Sequence, residues 1–256
     1  MTTKILPGMN RQALIIHNAG GVRDWLDGVA IDVSRIRSFL MSDTGGAWEK
    51  SEITVTSRMC SMEALKLYFL QHYLSVDYYM IFFVGHGYYD AERGPMYALP
   101  NGQRISGEWL KEQTRRVPTL LITDSCQCIE KFGDGGVLRE SRTFSWISDS
   151  ERRNEYRRAY DNALGGLPEN MFVTASSVSP GEEAGENDAI GGYYIYSLVS
   201  VANDIASNGS SQSGIYGIGY AHHYAAEKVR KLSGERQTPL LEGYTRSHQP
   251  PFMIKL

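Results

Sequence analysis

The chain is poor in cysteine, in long apolar runs and in net charge. Only three of its 256 residues are cysteines, which is too few for a disulfide framework and suits a reducing compartment. No window approaches the roughly 18 apolar residues of a membrane span, and the first residues, MTTKILPGMNRQ, lack the pattern of a signal peptide. The net charge of -3 supplies no global field for nucleic acid or an anionic membrane. These absences predict a cytoplasmic protein with neither a nucleic-acid nor a membrane partner.

Several catalytic and metal-binding motifs are also missing. The sequence has no Gly-x-Ser-x-Gly elbow, no Gly-x-x-x-x-Gly-Lys phosphate loop and no His-Glu-x-x-His zinc motif. Cys126 and Cys128 are one residue apart rather than two, and no second cysteine pair follows, so no metal is predicted there. His222 and His223 are adjacent on a predicted helix and point about 100° apart, so we interpret them as structural or surface residues.

What the chain does have is a regular alternation of short apolar runs with helical periodicity, which is typical of a mostly parallel sheet covered by helices. Strands are predicted at 13–17, 52–57, 78–85, 119–123 and 171–176. Helices are predicted around 29–41, 61–74, 106–116, 193–205 and 216–231. The segment PPFMIK (250–255) is predicted to close the sheet at an edge, where prolines are tolerated. No repeat or composition shift marks a second domain, so residues 1–256 are predicted to form one.

The pattern breaks down between residues 129 and 169, where arginine and glycine dominate: GDGG, RESR, ERR and YRRAY. More than about 15 residues without regular structure inside a compact domain are usually functional or disordered. We therefore predict that 129–169 is an arginine-rich loop. A plain solvated, charged loop is the alternative.

Reactive side chains follow two of the predicted strands. The strand at 78–85 ends in Gly-His-Gly, and the strand at 119–123 is followed by Asp-Ser-Cys. Because sites gather at the carboxyl ends of parallel strands, His86 and Cys126 would face one crevice if the strands are neighbours. Cys126 would then be a nucleophile, His86 a general acid and base, and the N–H groups of Gly87 and Cys126 an oxyanion site. Taken singly, such a cysteine is more often a small core residue and such a histidine a turn residue.

These paired strand ends resemble those of the caspase-like cysteine peptidases, most closely the prokaryotic and metacaspase-type members. The resemblance extends over nearly the whole chain, through GVAID (28–32), MFVTAS (171–176), GEEAGE (181–186) and QTPLLEG (237–243). It implies the caspase-hemoglobinase fold, an α/β fold with a mostly parallel six-stranded central sheet and helices on both faces. It also implies a cysteine endopeptidase that uses a Cys126–His86 dyad without a cofactor and acts on protein substrates.

The chain departs from caspases proper at the nucleophile, where it has Asp-Ser-Cys instead of Gln-Ala-Cys. In metacaspase-like sequences an aspartate at the position of Asp124 lines the pocket for the substrate side chain before the cut, and Asp32 sits where a second pocket acid is found. The resemblance therefore implies cleavage after Arg, with Lys second. The alternatives are that Asp124 caps backbone N–H groups and that Asp32 is a surface acid in a first helical turn.

The resemblance also gives the loop 129–169 a role, because caspase-like enzymes are cut at this place to mature. Its arginines suit the predicted pocket, so cleavage is expected after one of Arg139, Arg142, Arg152, Arg153, Arg157 or Arg158. The cut would be made by the protein itself or by an upstream protease, with a regulatory protein as a further expected partner. A role as an effector in bacterial defence or cell death is compatible with the resemblance.

Calcium is left unassigned, and two other functions stay open. Metacaspase-type enzymes often need calcium, and three acids lie in the region, but their spacing matches no calcium loop: Asp134, Asp149 and Glu151. The first alternative function is a non-catalytic caspase-like scaffold or interaction module, against which the presence of both His86 and Cys126 argues. The second is a caspase-like peptidase with acidic specificity, against which Asp124 argues.

Overall fold

The computed structural model describes residues 8–57, 60–128, 150–245 and 247–256. Its strands are β1 Arg11–Asn18, β2 Ile53–Val55, β3 Tyr78–Gly85, β4 Gly87–Asp90, β5 Gly94–Ala98, β6 Arg104–Ser106, β7 Thr119–Asp124, β8 Phe172–Ser176, β9 Glu186–Asn187, β10 Gly191–Gly192, β11 Gly214–Gly217, β12 Leu240–Glu242 and β13 Pro251–Lys255. Its helices are α1 Gly28–Met41, α2 Met62–His72, α3 Gly107–Gln113, α4 Ser150–Leu164, α5 Tyr193–Ser207 and α6 Ile218–Ser233. Within these residues, no helix combines the length and the apolar character that crossing a membrane requires.

The central sheet has six strands in the order β12-β8-β7-β3-β1-β2. Five of them run parallel, and β12 pairs antiparallel with β8. All eight residues of β3 are buried, as its uninterrupted apolar sequence requires of a strand in the middle of a sheet with both faces covered. The predicted class, an α/β fold with a mostly parallel six-stranded sheet, is confirmed.

Helices cover both faces of this sheet. Alternate residues of β3 enter two separate hydrophobic clusters: Met80 and Phe82 join the side of α1, α5 and α6, whereas Ile81 and Phe83 join the side of α2 and α3. Serine hydroxyls start the helices of the second side: the Ser61 side chain accepts the Ala64 N–H at 3.1 Å. The helix predicted at 61–74 therefore begins at its expected cap.

The prediction that PPFMIK (250–255) closes the central sheet is wrong. β13 pairs instead with β11 in a separate two-stranded sheet, and the short β12 occupies the edge of the central sheet. The reason is packing, because the Phe252 ring stacks on Phe39 of α1 with centroids 4.9 Å apart. The Pro251 carbonyl also accepts a hydrogen bond from the Tyr160 hydroxyl at 2.7 Å. Helices therefore bury this strand on both sides.

The prediction of one continuous loop over 129–169 is also wrong, because Ser150–Leu164 forms the helix α4. Residues 129–149 lie outside the described part of the chain. The helix was missed because its buried face is built partly from arginine: Arg153 and Arg157, one turn apart, donate to carbonyl oxygens of the segment 41–48. Such a face has no continuous apolar stripe in the sequence.

The sheet brings the two reactive strand ends together. β3 and β7 are parallel neighbours, with Val84 opposite Asp124. His86 and Cys126 each follow this pair by two residues. The condition under which the sequence predicted a shared crevice is therefore met.

Candidate active site

His86 and Cys126 line the same cleft at the carboxyl ends of β3 and β7. A cavity of about 490 Å³ opens on one side of the pair, and a smaller one of about 120 Å³ on the other. Both residues line both cavities. A peptide bond placed between them could therefore extend into the larger space while it sends one side chain into the smaller.

The His86 ring is held by the loop after β1. Its Nε2 lies 2.6 Å from the main-chain oxygen of Asp24, which can only accept, so Nε2 carries the proton and Nδ1 of the neutral ring is left as a base. The Asp24 carboxylate lies 3.6 Å from the same nitrogen and offers a counter-charge to an imidazolium. Gly20 has a φ of +86°, and a Cβ there would lie 2.6 Å from Nε2. The loop can approach the ring because Gly20 has no side chain.

This orienting contact could not be found from residue types, because the acceptor is a main-chain carbonyl that any residue could supply. Sequence reasoning identified no third residue beside the dyad. The only local signal is the pair Gly20-Gly21, which allows the chain to turn close to His86.

The Cys126 thiol rests against a main-chain oxygen. Its Sγ lies 3.8 Å from the carbonyl oxygen of Ala184. Burial raises the pKa of the Cys126 thiol to about 12, and the nearby Cys128 and Glu183 act in the same direction. The resting thiol is therefore protonated, so a thiolate forms here only if another group takes the proton. Nδ1 of His86 is suited to that step once the thiol turns from Ala184.

The N–H of Gly87 points in the direction expected of an oxyanion donor. Gly87 stands opposite Tyr97 in the β4–β5 pair, and the Ala98 N–H donates to the His86 oxygen at 3.0 Å. Gly87 is therefore at a non-hydrogen-bonded position, and its N–H points away from β5. Tyr89, which faces the same way, donates its N–H to the Cys128 oxygen at 3.2 Å. The Gly87 N–H thus points toward the segment that carries Cys126.

Three carboxylates, of Asp32, Asp124 and Glu186, line the smaller cavity, and we call this site the acidic pocket. Asp32 and Asp124 are 3% and 7% exposed, which excludes the interpretation of Asp32 as a surface acid. The two aspartates were named from the sequence, and the structure brings them together beside His86 and Cys126.

Backbone N–H groups hold both aspartates in place. Oδ2 of Asp124 accepts the N–H groups of Tyr194 and Ile195 at 3.1 and 3.0 Å, at the N-terminus of α5. Oδ2 of Asp32 accepts the Gly192 N–H at 2.8 Å. The capping role considered for Asp124 is therefore real, and it coexists with a place in the pocket. A Cβ on Gly192 would collide with the Asp124 carboxylate and lie 2.9 Å from Oδ2 of Asp32.

One cation faces these acids within the described part of the chain. Arg35, one turn after Asp32 on α1, donates to its Oδ1 at 2.9 Å. One guanidinium among three carboxylates leaves the acidic pocket with a net negative charge when all are ionised.

Burial, with like charge as a smaller cause for Asp32 and Glu186, raises the pKa values of the pocket acids. Burial, and then the Asp124 charge, raise the pKa of Asp32 well above its ordinary value. Burial raises the pKa of Asp124 to about 6, against the pull of its backbone donors. Burial, together with Asp124 and further acids nearby, raises the pKa of Glu186 to about 7. These acids therefore bind protons more readily than free carboxyl groups do, and a cation bound beside them would favour their ionised forms.

The chain is similar to known proteins in sequence and in fold. The family model of the caspase domain, peptidase C14, matches residues 10–248. The chain belongs to the caspase family of cysteine peptidases. A solved structure of caspase-1 from Spodoptera frugiperda matches with a TM-score of 0.58 and 16% identity, covering 94% of this chain and 92% of that one. A search of curated protein sequences gives no match.

Glu186 is the residue of this caspase-family site that sequence reasoning missed. The motif GEEAGE (181–186) was noted as part of the resemblance, but none of its acids was given a role. The motif holds three glutamates, and only folding shows that Glu186 turns into the pocket beside Gly28 of α1. A Cβ at Gly28 would lie 2.6 Å from Oε2 of Glu186.

The candidate cleavage arginines fall into two groups. Arg139 and Arg142 lie outside the described residues, as do two of the acids considered for calcium, Asp134 and Asp149. The other four arginines are on α4, with Glu151 in its first turn. Among the described residues, no cluster of three or more His, Cys, Asp or Glu side chains has the arrangement of a metal site.

The arginines of α4 differ in how they are held. Arg153 donates to the Trp48 oxygen at 2.7 Å, and Arg157 donates to the Ala47 oxygen at 3.1 Å and pairs with Glu52. The remaining two, Arg152 and Arg158, lie on the exposed side of the helix, where Arg152 pairs with Asp43 at 2.8 Å.

His222 and His223 match their interpretation as structural and surface residues. The Tyr194 hydroxyl lies 2.7 Å from Nδ1 of His222, and burial lowers the pKa of His222 to about 4. His223 is exposed beside Glu227.

Proposed function

We propose that this protein is a cysteine endopeptidase that cleaves after arginine, and less efficiently after lysine. Cys126 is the nucleophile and His86 is the general acid and base. The observation that carries the proposal is the acidic pocket, whose three carboxylates lie directly beside both dyad residues.

The charge of the pocket supports a basic substrate. Three acids against the single cation of Arg35 leave room for one more positive charge, and a substrate guanidinium or ammonium supplies it. A guanidinium has five N–H donors in a rigid plane and can bind two carboxylates at once, whereas an ammonium is a compact point charge. Carboxylates that approach from three chain segments therefore favour arginine over lysine. An acidic side chain would be repelled.

The chemistry follows from the positions of the dyad and the oxyanion donors. With the substrate arginine in the pocket, the thiol proton passes to Nδ1 of His86 and the Cys126 sulfur attacks the scissile carbonyl carbon. The N–H groups of Gly87 and Cys126 stabilise the oxyanion, a contribution of roughly 3 to 4 kcal/mol per donor in well-studied enzymes. His86 then protonates the leaving amine, and later takes a proton from the water that hydrolyses the thioester.

Maturation would involve a cut in the arginine-rich stretch, made by the protein itself or by an upstream protease. A peptidase binds its substrate in extended form, so the arginines of α4 are accessible only if that helix opens. Arg153 and Arg157 would in addition lose the contacts that bind the helix to the segment 41–48. Arg139 and Arg142 are therefore the favoured sites. In this reading the protein acts as a cytoplasmic effector in bacterial defence or cell death, under a regulatory partner.

The test is hydrolysis of fluorogenic peptides that end in Arg, Lys or Asp, each with and without calcium, by wild type and by Cys126→Ala. We expect the order Arg, Lys, Asp and no turnover by the variant. Preference for the Asp peptide would replace the proposal by a peptidase of acidic specificity. If no peptide is cleaved in either condition, with or without a prior cut in the loop by trypsin that is removed before the peptides are added, the scaffold alternative is favoured.

Self-cleavage is tested separately on a denaturing gel. Under conditions in which the Arg peptide is hydrolysed, wild type should give two fragments and Cys126→Ala should stay whole. Arg139→Gln with Arg142→Gln should also stay whole, whereas Arg152→Gln with Arg158→Gln, the matched pair on α4, should be cut like wild type.

A further inference from the structure

A third cavity opens beside the cleft, at the carboxyl end of β1. Its volume is about 360 Å³, which lies within the range of roughly 300 to 1,000 Å³ found for ligand pockets. Three residues of α1 line it, Val29, Ala30 and Val33, and Trp25 and Pro100 are among the other lining residues. We call this cavity the tryptophan pocket. The mechanism proposed above gives it no role.

The tryptophan pocket offers an apolar surface to a ligand. Among the described residues that line it, there is no Asp, Glu, Lys or Arg. The indole Nε1 of Trp25 donates to Oδ1 of Asp27 at 3.1 Å. Nε2 of His17 and Nδ2 of Asn18 each contact a main-chain oxygen, at 2.8 and 3.0 Å. Because these polar groups have partners within the chain, a large apolar side chain suits the pocket better than a charged one.

The tryptophan pocket lies on the His86 side of the proposed nucleophile. β7, β3 and β1 are adjacent parallel strands, and their carboxyl ends lead in turn to Cys126, to His86 and to Asn18. Asn18, Gly20 and Pro100 line both the tryptophan pocket and the larger cavity of the cleft, so the two spaces adjoin. In the proposed mechanism His86 protonates the leaving amine. The peptide that follows the cut therefore leaves the dyad on the side of β1.

The separation of the acidic pocket and the tryptophan pocket matches two residues of extended peptide. The acidic pocket lies at the ends of β3 and β7, and the middle of this pair is about 7 Å from β1, since neighbouring strands are about 4.8 Å apart. Two residues of extended chain span about 6.6 Å, and their side chains point to the same side. Both pockets are lined by residues of α1, and Val29 lines both. The side chain two residues after the substrate arginine is therefore the one that reaches the tryptophan pocket.

We propose that the tryptophan pocket binds a large apolar side chain, such as that of Phe, at the second residue after the cut. The direction of the leaving peptide, and with it this assignment, rests on the proposed function. The side chain would leave water and pack against Trp25, Pro100 and the apolar side chains of α1. Burial of a large apolar side chain should tighten peptide binding about tenfold.

The experiment measures the binding of labelled peptides by fluorescence anisotropy, with the full-length protein carrying Cys126→Ala so that the peptides stay whole. The peptides share one sequence and differ at two positions. They have Arg or citrulline before the scissile bond, and Phe, Lys or Gly at the second residue after it. Two further changes alter the tryptophan pocket: Val33→Asn makes it polar and Ala30→Leu fills it. Ser38→Asn, at an exposed position of α1, is the matched control.

We expect the Arg peptide with Phe to bind about tenfold more tightly than the same peptide with Gly, and the peptide with Lys to bind no more tightly than that with Gly. Val33→Asn and Ala30→Leu should each reduce the affinity for the Phe peptide to that for the Gly peptide and leave the latter unchanged. Ser38→Asn should keep the preference. Binding of the Gly peptide shows that a variant is folded.

Three results would overturn the proposal. They are equal binding of the Phe and Gly peptides, tighter binding of the Lys peptide than of the Phe peptide, and a preference for Phe that persists in a pocket variant still able to bind the Gly peptide. Equal binding of the Arg and citrulline peptides would instead contradict the proposed role of the acidic pocket. If no peptide binds, both proposals are wrong. The readout is binding, so none of these results depends on cleavage.

Discussion

Among the residues that the structure describes, charged side chains are buried at two sites, and the charges balance at only one of them. The first, which we call the ion-pair cluster, joins α4 to β1 through four side chains: Arg11, Glu52, Arg157 and Asp161. The Arg11 side chain is fully buried, lies 3.0 Å from Asp161, and its guanidinium carbon is 4.5 Å from the centre of the Trp48 ring. Two cations meet two anions, so the charges cancel.

In the acidic pocket, by contrast, three anions meet one cation. Burial acts to raise the pKa of every carboxyl group in both sites, and the surrounding charges and hydrogen bonds decide how far that is offset. Burial acts to raise the pKa of Glu52, but the hydrogen bond from Arg157 and the charge of Arg11 outweigh burial and lower this pKa. In the pocket, the pKa values of all three acids are raised. Asp161 is the exception in the ion-pair cluster, because there burial outweighs the two arginines and its pKa is raised.

The difference in charge balance indicates a structural role for the ion-pair cluster and a binding role for the acidic pocket. A buried charge that has its partner within the chain is destabilising to remove, since the partner is left unpaired. A buried charge without a partner costs stability in the empty protein and has a use only when a ligand supplies the opposite charge. The ion-pair cluster should therefore determine stability, and the acidic pocket should determine what is bound.

Replacement of Asp124 by Asn should have the largest effect on activity and none on folding. Asparagine keeps an oxygen to accept the N–H groups of α5 but removes one negative charge from the pocket. Loss of a buried, charge-assisted partner costs about 3 to 4 kcal/mol, or roughly a hundred- to a thousandfold in kcat/KM for an Arg peptide. Thermal unfolding at pH 8 should show a Tm no lower than that of wild type. A variant that is unstable but fully active would reverse the roles of the two sites.

Replacement of Arg11 by Met should lower the stability of the protein and leave its activity nearly unchanged. The methionine leaves Glu52 and Asp161 with one cation, which should lower the free energy of unfolding by about 3 to 5 kcal/mol in urea. The activity of the molecules that remain folded should stay near that of wild type. Arg158→Met, on the exposed side of α4, is the matched control and should change stability by less than about 0.5 kcal/mol. Equal effects of Arg11→Met and Arg158→Met on the free energy of unfolding would mean that the ion-pair cluster does not contribute to stability.

The pH dependence of stability should also distinguish the sites. An acid whose pKa is raised on folding binds more protons in the folded state than in the unfolded state. Stability from the acidic pocket is therefore present at low pH and is lost as pH rises from about 4 to about 7. Asp124→Asn has no carboxyl group at this position and so loses less stability as the pH rises. The free energy of unfolding of the variant, minus that of wild type, should therefore increase by at least about 1 kcal/mol between pH 5 and pH 8. Urea unfolding of both proteins at the two pH values measures this change. A stability difference between the two proteins that is the same at pH 5 and at pH 8 would contradict the prediction.

Glu186→Gln should have the smallest effect. Glu186 is only partly buried, so water can take over some of its interaction with the substrate, and we expect a loss of about tenfold in kcat/KM for an Arg peptide. Asp188→Asn, on the same segment but exposed, is the matched control and should change the value less than twofold. A larger loss for Glu186→Gln than for Asp124→Asn would mean that the substrate charge lies nearer to Glu186.

The parts of this account that the sequence predicted are those with a local pattern. Buried parallel strands read as unbroken apolar runs, so β3 and β7 were predicted within a residue, and with them the positions of His86 and Cys126. Asp124 was named through the family resemblance, which assigns a pocket role to the residue two positions before the nucleophile. Each of these depends on few neighbours in space.

The parts that were missed depend on partners far away in the chain. α4 buries arginines against the segment 41–48, so its sequence looks like that of a loop. β13 has the composition of a sheet strand, but its place is decided by helices packed on both sides. Glu186 and the Asp24 carbonyl enter the site only because loops fold over the strand ends. No periodicity within a segment contains that information.

The central claim is that the negative charge of the acidic pocket selects a substrate cation. The most direct measurement compares kcat/KM for a peptide with Arg before the cut and for the same peptide with citrulline, which has nearly the same shape but no charge. We predict a ratio of about a hundred or more for wild type, with a much smaller ratio for Asp124→Asn. Equal cleavage of the two peptides by wild type would contradict the claim.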